Sequence, residues 1–544
     1  MLCYLDFYHV FLGAANLSFF SSFFSPQNIN SPDNFYCSFL WIQWFVPLIF
    51  LFIGFYKRCD LKFTRFLFMT WLIILFIFFS YYLAGSGLPL ETLGDTLKTD
   101  QVSPSLLYLF LAQLFSLLII FFSFLFIFFW LDVLSQLLPG KTINVQHFYL
   151  FFFLFSAWVV TIIFLFHCMN YIVLFLLLEL QTILTFFLLS FSLEKKNIGQ
   201  MAVYVIVNSL GTIFYLLSFL IFWQIFDAYT FVNLNMKLLG ESAHNWGSLK
   251  SLGFFFLFIS LFIKSGTAPF QGWLPLVYGK ISNFFFSTFM VLPKLVFTAI
   301  FYQQLLVFFP ISGDIKFSLL FLGSLNIFVG LMSSIGEKYS LRRLLIFSSL
   351  THLGVVLLVL SLYTKMSLYL ALVYLIFYLV TFFVFSYLLL GTSSMNGVLA
   401  FQPLGLGSLA DWKKMVLGFC IGNLSGLPPF PIFFLKLYVI QSLVHEGFLI
   451  WATIVLVALI GSMYYYFDLA KKMFFLQDHL EWLVIPLVRK NYKILKILKG
   501  SNTNAYYLVI VGIFTIFSFL GITLLSYLVI TLNFNLFLGG VILC

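Results

Sequence analysis

The sequence predicts an all-α polytopic membrane protein with about fourteen transmembrane helices. Of its 544 residues, 62% are hydrophobic and only 8% are charged. Its apolar runs repeatedly exceed the roughly 20 residues that cross a hydrocarbon core, and soluble domains carry about 25% charged residues. The formal net charge of +10 comes from basic residues scattered over short loops. This pattern excludes a soluble protein and gives no reason to expect a nucleic acid partner.

Apolar runs between polar breaks predict the individual spans. In chain order they cover residues 39–56, 64–84, 105–131, 147–168, 170–193, 200–226, 251–279, 283–307, 317–336, 340–363, 367–391, 413–444, 448–470 and 504–532. Residues 1–25 include several serines, which favours a surface helix over a fifteenth span. Residues 471–500 place basic side chains among Ile, Leu and Val, which predicts an amphipathic helix at the membrane surface.

The basic residues also predict how the chain crosses the membrane. The loops after the odd-numbered spans contain most of the 28 Lys and Arg residues, and basic loops stay on the cytoplasmic or matrix side. Both termini are therefore expected on the opposite side. No Lys or Arg precedes Lys57, which suits a protein made inside an organelle or inserted directly. The 78 Phe residues indicate a genome biased towards A and T codons.

One short motif occurs twice. Residues Ser265–Phe270 in span 7 resemble Ser425–Phe430 in span 12. Each motif begins with Ser-Gly and ends with Pro-Phe. A proline inside a membrane helix leaves backbone carbonyls that need another partner. Two broken helices at corresponding positions indicate inverted repeats with an ion site near the membrane midplane. Helix kinks without a function are the alternative.

Four ionisable residues are predicted deep inside spans: Glu179, Lys264, Lys294 and Lys436. Each such charge costs about 2.5–3.5 kcal/mol on insertion scales, so each needs a reason. A lysine removed from water can gain and lose a proton near neutral pH, and a nearby carboxylate shifts that balance. We therefore expect Glu179 to modulate three lysines that act as successive proton carriers. The alternative is a static buried pair that fixes helix packing, but one carboxylate cannot neutralise three lysines.

His352, near the middle of span 10, is a candidate proton relay because histidine titrates near neutral pH. A satisfied helix contact is the alternative. The six cysteines have no paired spacing, so no metal site is expected. Residues 405–410 match a dinucleotide fingerprint formally, but no strand–helix unit surrounds them. No cofactor is therefore expected on this chain.

These motifs resemble the antiporter-like subunits of respiratory complex I and, within that family, the subunit 2 branch. The resemblance covers residues 147–470 and rests on five segments: Glu179–Gln181, Lys264–Tyr278, Pro293–Lys294, Arg342–Ser349 with His352, and Asn423–Phe430 followed by Lys436. The sequence departs from the family at Val203, where a lysine is usual, at Gln271, where His is usual, and at Leu276, where Asp is usual. The Val203 departure removes the expected partner of Glu179.

The resemblance implies an antiporter-like fold of two inverted five-helix repeats with broken spans 7 and 12. Residues 1–146 would hold the first three spans, 147–307 and 308–470 the two repeats, and 471–544 the basic segment and the last span. It implies a proton-translocating subunit in the mitochondrial inner membrane, with basic loops in the matrix and no redox centre of its own. Expected partners are other membrane-arm subunits and the bilayer, with cardiolipin as a candidate lipid. A free-standing cation/proton antiporter and a structural subunit that no longer pumps are the alternatives.

Overall fold

The computed structural model describes most of the central part of the chain. The described residues are 43, 46–48, 61–85, 112–123, 125, 145–168, 170–192, 198–227, 230, 234, 247–281, 283–308, 313–337, 340–362, 364–391, 411–428 and 430–474. The predicted surface helix at 1–25, the last span at 504–532, and almost all of the first span and of the amphipathic segment at 471–500 lie outside these residues.

The described part is helical. Its helices are α1 (Leu61–Gly85), α2 (Val145–His167), α3 (Tyr171–Ser192), α4 (Ile198–Phe226), α5 (Gly247–Ser265), α6 (Trp273–Tyr278), α7 (Asn283–Phe308), α8 (Gly313–Gly336), α9 (Leu341–Leu362), α10 (Lys365–Gly391), α11 (Asp411–Ser425), α12 (Pro431–His445) and α13 (Leu449–Phe474). A further apolar helical segment, Ala112–Ser123, lies between α1 and α2 in the chain. A helix satisfies all of its own backbone groups, which a chain in lipid requires.

Eight helices within the described ranges are long and apolar enough to cross a membrane. They are α2, α3, α4, α7, α8, α9, α10 and α13. Predicted spans 4–13 each coincide with described helices, except that span 7 is divided into α5 and α6, and span 12 into α11 and α12. The prediction of an all-helical, multi-pass membrane protein is therefore confirmed. The total of fourteen spans stays a prediction.

The described residues group into two compact units. The first lies within Met1–Ser265 and Leu292–Ile311, and the second within Gly266–Val291 and Ser312–Cys544. In the first unit α2 packs on α3, α3 on α4, and α4 on α5. In the second unit α8 packs on α9, and α13 contacts α8, α11 and α12. The predicted division of the chain into four segments stays a prediction.

Glycines let α8 and α9 approach closely in the second unit. A Cβ added at Gly354 would lie 2.8 Å from the carbonyl oxygen of Gly323, and one added at Gly330 would lie 2.8 Å from the backbone nitrogen of Thr351. Membrane helices lack a hydrophobic driving force for association, so small residues at such contacts allow the close packing that stabilises the pair.

We expect Gly354→Val to destabilise the second unit, because the added atoms would overlap backbone atoms of α8 that cannot move aside. Overpacking of this kind typically costs about 1–3 kcal/mol. The measurement is the thermal midpoint of unfolding of the detergent-solubilised protein, together with its level in the membrane. Gly418→Val is the matched control, since an added Cβ at Gly418 meets nothing within 4 Å. Equal losses in both variants would contradict this account of the contact.

Candidate functional site

The carboxylate of Glu179 on α3 is held by threonine hydroxyls in the first unit. Thr212 on α4 donates a hydrogen bond to Oε1, and Thr182, one turn along α3, donates to Oε2 at 3.3 Å. The Thr182 hydroxyl also donates to the backbone oxygen of Glu179 at 2.7 Å. Hydrogen bonds to a charged group are stronger than those between neutral groups. The carboxylate is therefore fixed in position between α3 and α4.

Lys264 lies in the last turn of α5, next to the same stretch of α4. A Cβ added at Gly211 would lie 3.1 Å from Cγ of Lys264, so the lysine stem passes across a position where α4 has no side chain. Glu179 interacts electrostatically with Lys264. Salt bridges within the described residues join Lys316 to Glu446 and Arg343 to Glu337, but none joins Glu179 to Lys264.

Val203 on α4 stands where the family usually has a lysine, and α4 contains no Lys or Arg elsewhere. Asn208, one turn beyond Tyr204, donates its amide to the Tyr204 backbone oxygen at 2.9 Å. Thr212, one further turn along, provides the side chain that reaches Glu179. In this part of the structure a hydroxyl on α4 bonds to Glu179, and Lys264 on α5 interacts with it electrostatically.

Lys294 lies on α7, directly after Pro293, in the part of the helix that belongs to the first unit. The residue is only 4% exposed. Its backbone oxygen accepts a hydrogen bond from Thr298 at 2.9 Å. Threonine hydroxyls in helices often bond to the carbonyl one turn before them in this way. The structure thus buries Lys294, the second of the three predicted lysines, within the first unit.

The two predicted helix breaks have the same local backbone pattern. α5 ends at Ser265 and α11 at Ser425. The glycine that follows each serine has positive φ, 65° at Gly266 and 76° at Gly426, a conformation that glycine adopts without strain. The sixth residue of each motif then donates its backbone N–H to the third: Phe270 to Thr267 at 2.7 Å, and Phe430 to Leu427 at 2.9 Å. The sequence similarity thus corresponds to a shared geometry.

An asparagine satisfies a backbone group at each break. Oδ1 of Asn326 on α8 accepts a hydrogen bond from the backbone N–H of Ala268 at 2.7 Å. Oδ1 of Asn423 on α11 accepts one from the backbone N–H of Ile432, near the start of α12, at 3.1 Å. Unpaired backbone groups are costly away from water, so these amides stabilise the interrupted backbone.

Lys436 on α12 lies against the break that ends α11. Its Nζ donates a hydrogen bond to Oγ of Ser462 on α13 at 2.9 Å, and Ser462 donates to the Ser425 backbone oxygen at the end of α11, also at 2.9 Å. A Cβ added at Gly426 would lie 3.3 Å from that Nζ. The C-terminal end of a helix carries partial negative charge, which favours a cation there. Lys436 is 2% exposed.

His352 on α9 is buried in the second unit among tyrosines. Its Nδ1 lies 2.7 Å from the hydroxyl of Tyr374, and its ring stacks on Tyr378 with the centroids 4.5 Å apart. Nearby on α9, the Ser348 hydroxyl accepts a hydrogen bond from Tyr466 at 3.2 Å. The imidazole can therefore both hold a proton and exchange it with a hydroxyl.

The structure brings Glu179 and Lys264 together in the first unit, and it places Lys436 and His352 in the second. The sequence did not point to the side chains that contact Glu179, Lys436 and His352, which are Thr182, Thr212, Tyr374, Tyr378 and Ser462. Threonine and serine are common in membrane helices, where they bond to their own backbone, so sequence alone does not single them out. Within the described residues, no group of three or more His, Cys, Asp or Glu side chains could hold a metal ion.

Comparisons with known proteins place these features in a family. The model of the NADH:quinone oxidoreductase/Mrp antiporter transmembrane family matches residues 168–461, more than half of the chain. NADH-quinone oxidoreductase subunit N of Wolbachia sp. subsp. Brugia malayi (strain TRS) is 30% identical over 230 residues, which cover 41% of this chain and 48% of the relative. NADH-ubiquinone oxidoreductase chain 2 of Rhizopus oryzae is 25% identical over 309 residues, which cover 54% of this chain and 57% of the relative. The chain thus spans about half the length of these relatives.

A solved structure has a similar fold. A chain of the membrane-bound sulfane sulfur reductase, an archaeal respiratory membrane complex, aligns with a TM-score of 0.63 and 17% sequence identity. The alignment covers 87% of this chain and 96% of that one. At this identity the likeness concerns the fold alone.

Proposed function

Because the chain belongs to the NADH:quinone oxidoreductase/Mrp antiporter transmembrane family, we propose that it is a proton-translocating membrane-arm subunit of respiratory complex I. The observation that carries this proposal is the burial of Lys294, His352 and above all Lys436, which lies beside the end of a broken helix. A protein that needed only stable packing would fill such positions with apolar side chains, which are cheaper to bury.

In the first unit, Glu179 and Lys264 have the arrangement that a charge switch needs. The carboxylate is fixed by Thr212 and Thr182, and it acts on Lys264 without a close salt bridge. A negative Glu179 favours the ammonium form of Lys264. When that negative charge is neutralised or withdrawn, the ammonium releases one proton and becomes a neutral amine. A second proton can then be taken up from the other side.

In the second unit, Lys436 has a site that can hold either protonation state. Ser462 accepts a hydrogen bond from the ammonium, and the end of α11 favours positive charge. A neutral amine can equally accept a hydrogen bond from the Ser462 hydroxyl, because a hydroxyl both donates and accepts. Loss of one proton therefore does not leave a buried group without a partner.

The wider setting of this activity is part of the proposal. The chain would span the mitochondrial inner membrane with fourteen helices and two inverted five-helix repeats, and its basic loops would face the matrix. It would bind other membrane-arm subunits and lipid, with cardiolipin as a candidate. NADH oxidation and ubiquinone reduction would occur elsewhere in the complex, because this chain would carry no cofactor and no redox centre. The family match and the likeness to one bacterial and one fungal oxidoreductase subunit support the assignment to the membrane arm, and the paired helix breaks support the two repeats.

Staining a native gel of detergent-solubilised membranes for NADH dehydrogenase activity tests the assignment. Mass spectrometry of the stained band should identify this chain together with redox subunits. If the chain occurs only in a small band without NADH dehydrogenase activity, the complex I assignment is wrong. A free-standing cation/proton antiporter would then be the better explanation.

We expect Thr212→Val to slow NADH-driven proton pumping several-fold, because Glu179 loses a hydrogen bond donor. A hydrogen bond to a charged group contributes about 1.5–3 kcal/mol. Thr212→Ser keeps the hydroxyl and should retain most of the rate. The measurement is proton uptake into sealed membrane vesicles, normalised to assembled complex. Thr453→Val is the control, since Thr453 is exposed and bonds only to its own helix backbone at Ile450. Equal rates in Thr212→Val and wild type would show that the contact is unimportant.

A further inference from the structure

The second unit contains a buried group of hydroxyls between α9, α10 and α13 that the proposed function does not yet use. Tyr374 and Tyr378 on α10 and Tyr466 on α13 are completely buried, and Tyr465 is 2% exposed. The chain contains 78 Phe residues and uses them freely in its helices. Phe would fill the same space without burying a polar group, so the hydroxyls at these positions need an explanation of their own.

Hydrogen bonds join this group to α9. The Tyr466 hydroxyl donates to Oγ of Ser348 at 3.2 Å. One turn further along α9, Nδ1 of His352 lies 2.7 Å from the Tyr374 hydroxyl. Ser348 and His352 are four residues apart, so they share one face of the helix. The serine and the imidazole are therefore neighbours on the side of α9 that meets the tyrosines.

The same group reaches Lys436 through α13. Ser462, which accepts the hydrogen bond from the Lys436 ammonium, lies four residues before Tyr466. These two residues also share one face of their helix. Polar side chains thus follow one another in the order Lys436, Ser462, Tyr466, Ser348 and His352, with Tyr374 beyond. Each step is either a hydrogen bond or about one helical turn of 5.4 Å.

We propose that Tyr466, with Ser462 and Ser348, passes protons between Lys436 and the pair formed by His352 and Tyr374. This inference rests on the proposed function and assigns the proton route within the second unit. No bound group or redox reaction is needed, because every step moves only a proton.

The chemistry of each step is a proton hop through a hydroxyl. The oxygen accepts a proton on a lone pair while its own hydrogen moves to the next acceptor, so the hydroxyl ends neutral. The net change is that the Lys436 ammonium becomes an amine and the His352 imidazole becomes an imidazolium. The Ser462 hydrogen, which is directed at the backbone oxygens of Ser425 and Leu459, must rotate towards Tyr466. The Ser348 hydrogen, which bonds to the Leu345 backbone oxygen, must likewise rotate towards His352. An ordered water can bridge two hydroxyls that are one turn apart.

The test is Tyr466→Phe in the complete membrane complex, in sealed vesicles supplied with NADH and ubiquinone. Proton uptake per assembled complex should fall by about tenfold, because a positioned proton-transfer group commonly contributes roughly 100- to 10,000-fold and water can partly replace it. The solvent isotope effect in D₂O should also change, which a purely structural role would not cause. Tyr464→Phe is the matched control on the same helix, since Tyr464 is 64% exposed.

Lys436→Met, measured in parallel, distinguishes a failure of the proposed proton route from a failure of the proposed function. If Lys436→Met stops proton uptake while Tyr466→Phe leaves both the rate and the isotope effect unchanged, the proposed route is wrong and the proposed function stands. If neither variant changes proton uptake, the proposed function itself fails. Should Tyr466→Phe prevent assembly, Ser348→Ala removes the next hydroxyl with a smaller change, and the same loss of rate is expected. A normal rate in assembled Ser348→Ala complex would also overturn the route.

Discussion

Lys436→Met is expected to stop most NADH-driven proton pumping while the complex still assembles. Methionine has a similar length and is apolar, and replacing a buried charge by an apolar group is often neutral or stabilising. What is lost is the ammonium that bonds to Ser462 beside the end of α11. Because a positioned proton-transfer group contributes roughly 100- to 10,000-fold, proton uptake into vesicles should fall at least tenfold.

Two comparisons show whether this loss is specific. Lys471→Met changes an exposed lysine near the end of α13 and should leave pumping unchanged. Ser462→Ala removes only the hydroxyl partner of Lys436 and should give an intermediate rate. Assembled Lys436→Met complex that pumps at the wild-type rate would show that Lys436 has only a structural role.

Glu179→Gln is expected to have the second large effect, a loss of at least tenfold in proton pumping. The amide has the same shape as the carboxylate, and its single oxygen can keep the hydrogen bond from Thr212, while the bond from Thr182 to the other oxygen is lost. The variant therefore removes the negative charge and leaves the local packing in place. Without that charge, the electrostatic influence on Lys264 is lost. Pumping is measured in vesicles as for Lys436→Met.

The control for Glu179→Gln is Glu446→Gln. Glu446 forms a partly exposed salt bridge with Lys316 at 3.6 Å in the second unit. Exposed pairs contribute about 0–1 kcal/mol, so its loss should change neither assembly nor pumping. A Glu179→Gln complex with a normal rate would mean that Glu179 and Lys264 form a static pair, the alternative that the sequence left open.

The helices and their breaks could be predicted because their causes are local. Long apolar runs have few conformations available in lipid, so spans 4–13 are close to the observed helices. The repeated motif with its prolines, Ser265–Phe270 and Ser425–Phe430, likewise identified where two helices end, directly before Gly266 and Gly426. Both residues adopt positive φ, for which glycine is the natural choice.

The buried charges could also be predicted, since a lysine or glutamate stands out in an apolar span. Lys294, Lys436 and His352 are buried as expected, at 4%, 2% and 1% exposure. Their roles as proton carriers stay predictions until the variants are measured. Their positions follow from the sequence because burying a charge has a large cost that evolution tolerates only for a reason.

The partners of these residues could not be predicted, because they depend on which helix faces meet. Thr212 contacts Glu179 from a different helix, and Ser462 contacts Lys436 from α13. Hydroxyls in helices are satisfied by the backbone of their own turn, as Ser348 is by Leu345 at 3.0 Å. A functional hydroxyl therefore looks like a merely tolerated one in the sequence. That Thr212 is the α4 side chain that bonds to Glu179 became visible only in the structure.

The most direct test of proton translocation is to count protons moved per NADH oxidised by a complex that carries Lys264→Met, Lys294→Met and Lys436→Met together. The complex should be purified, shown to contain this chain, and placed in sealed vesicles with ubiquinone. We expect proton uptake to fall at least tenfold relative to wild type, because none of the three lysines proposed as proton carriers remains. An assembled complex that moves the wild-type number of protons at the wild-type rate would contradict the proposal that this chain translocates protons through these residues.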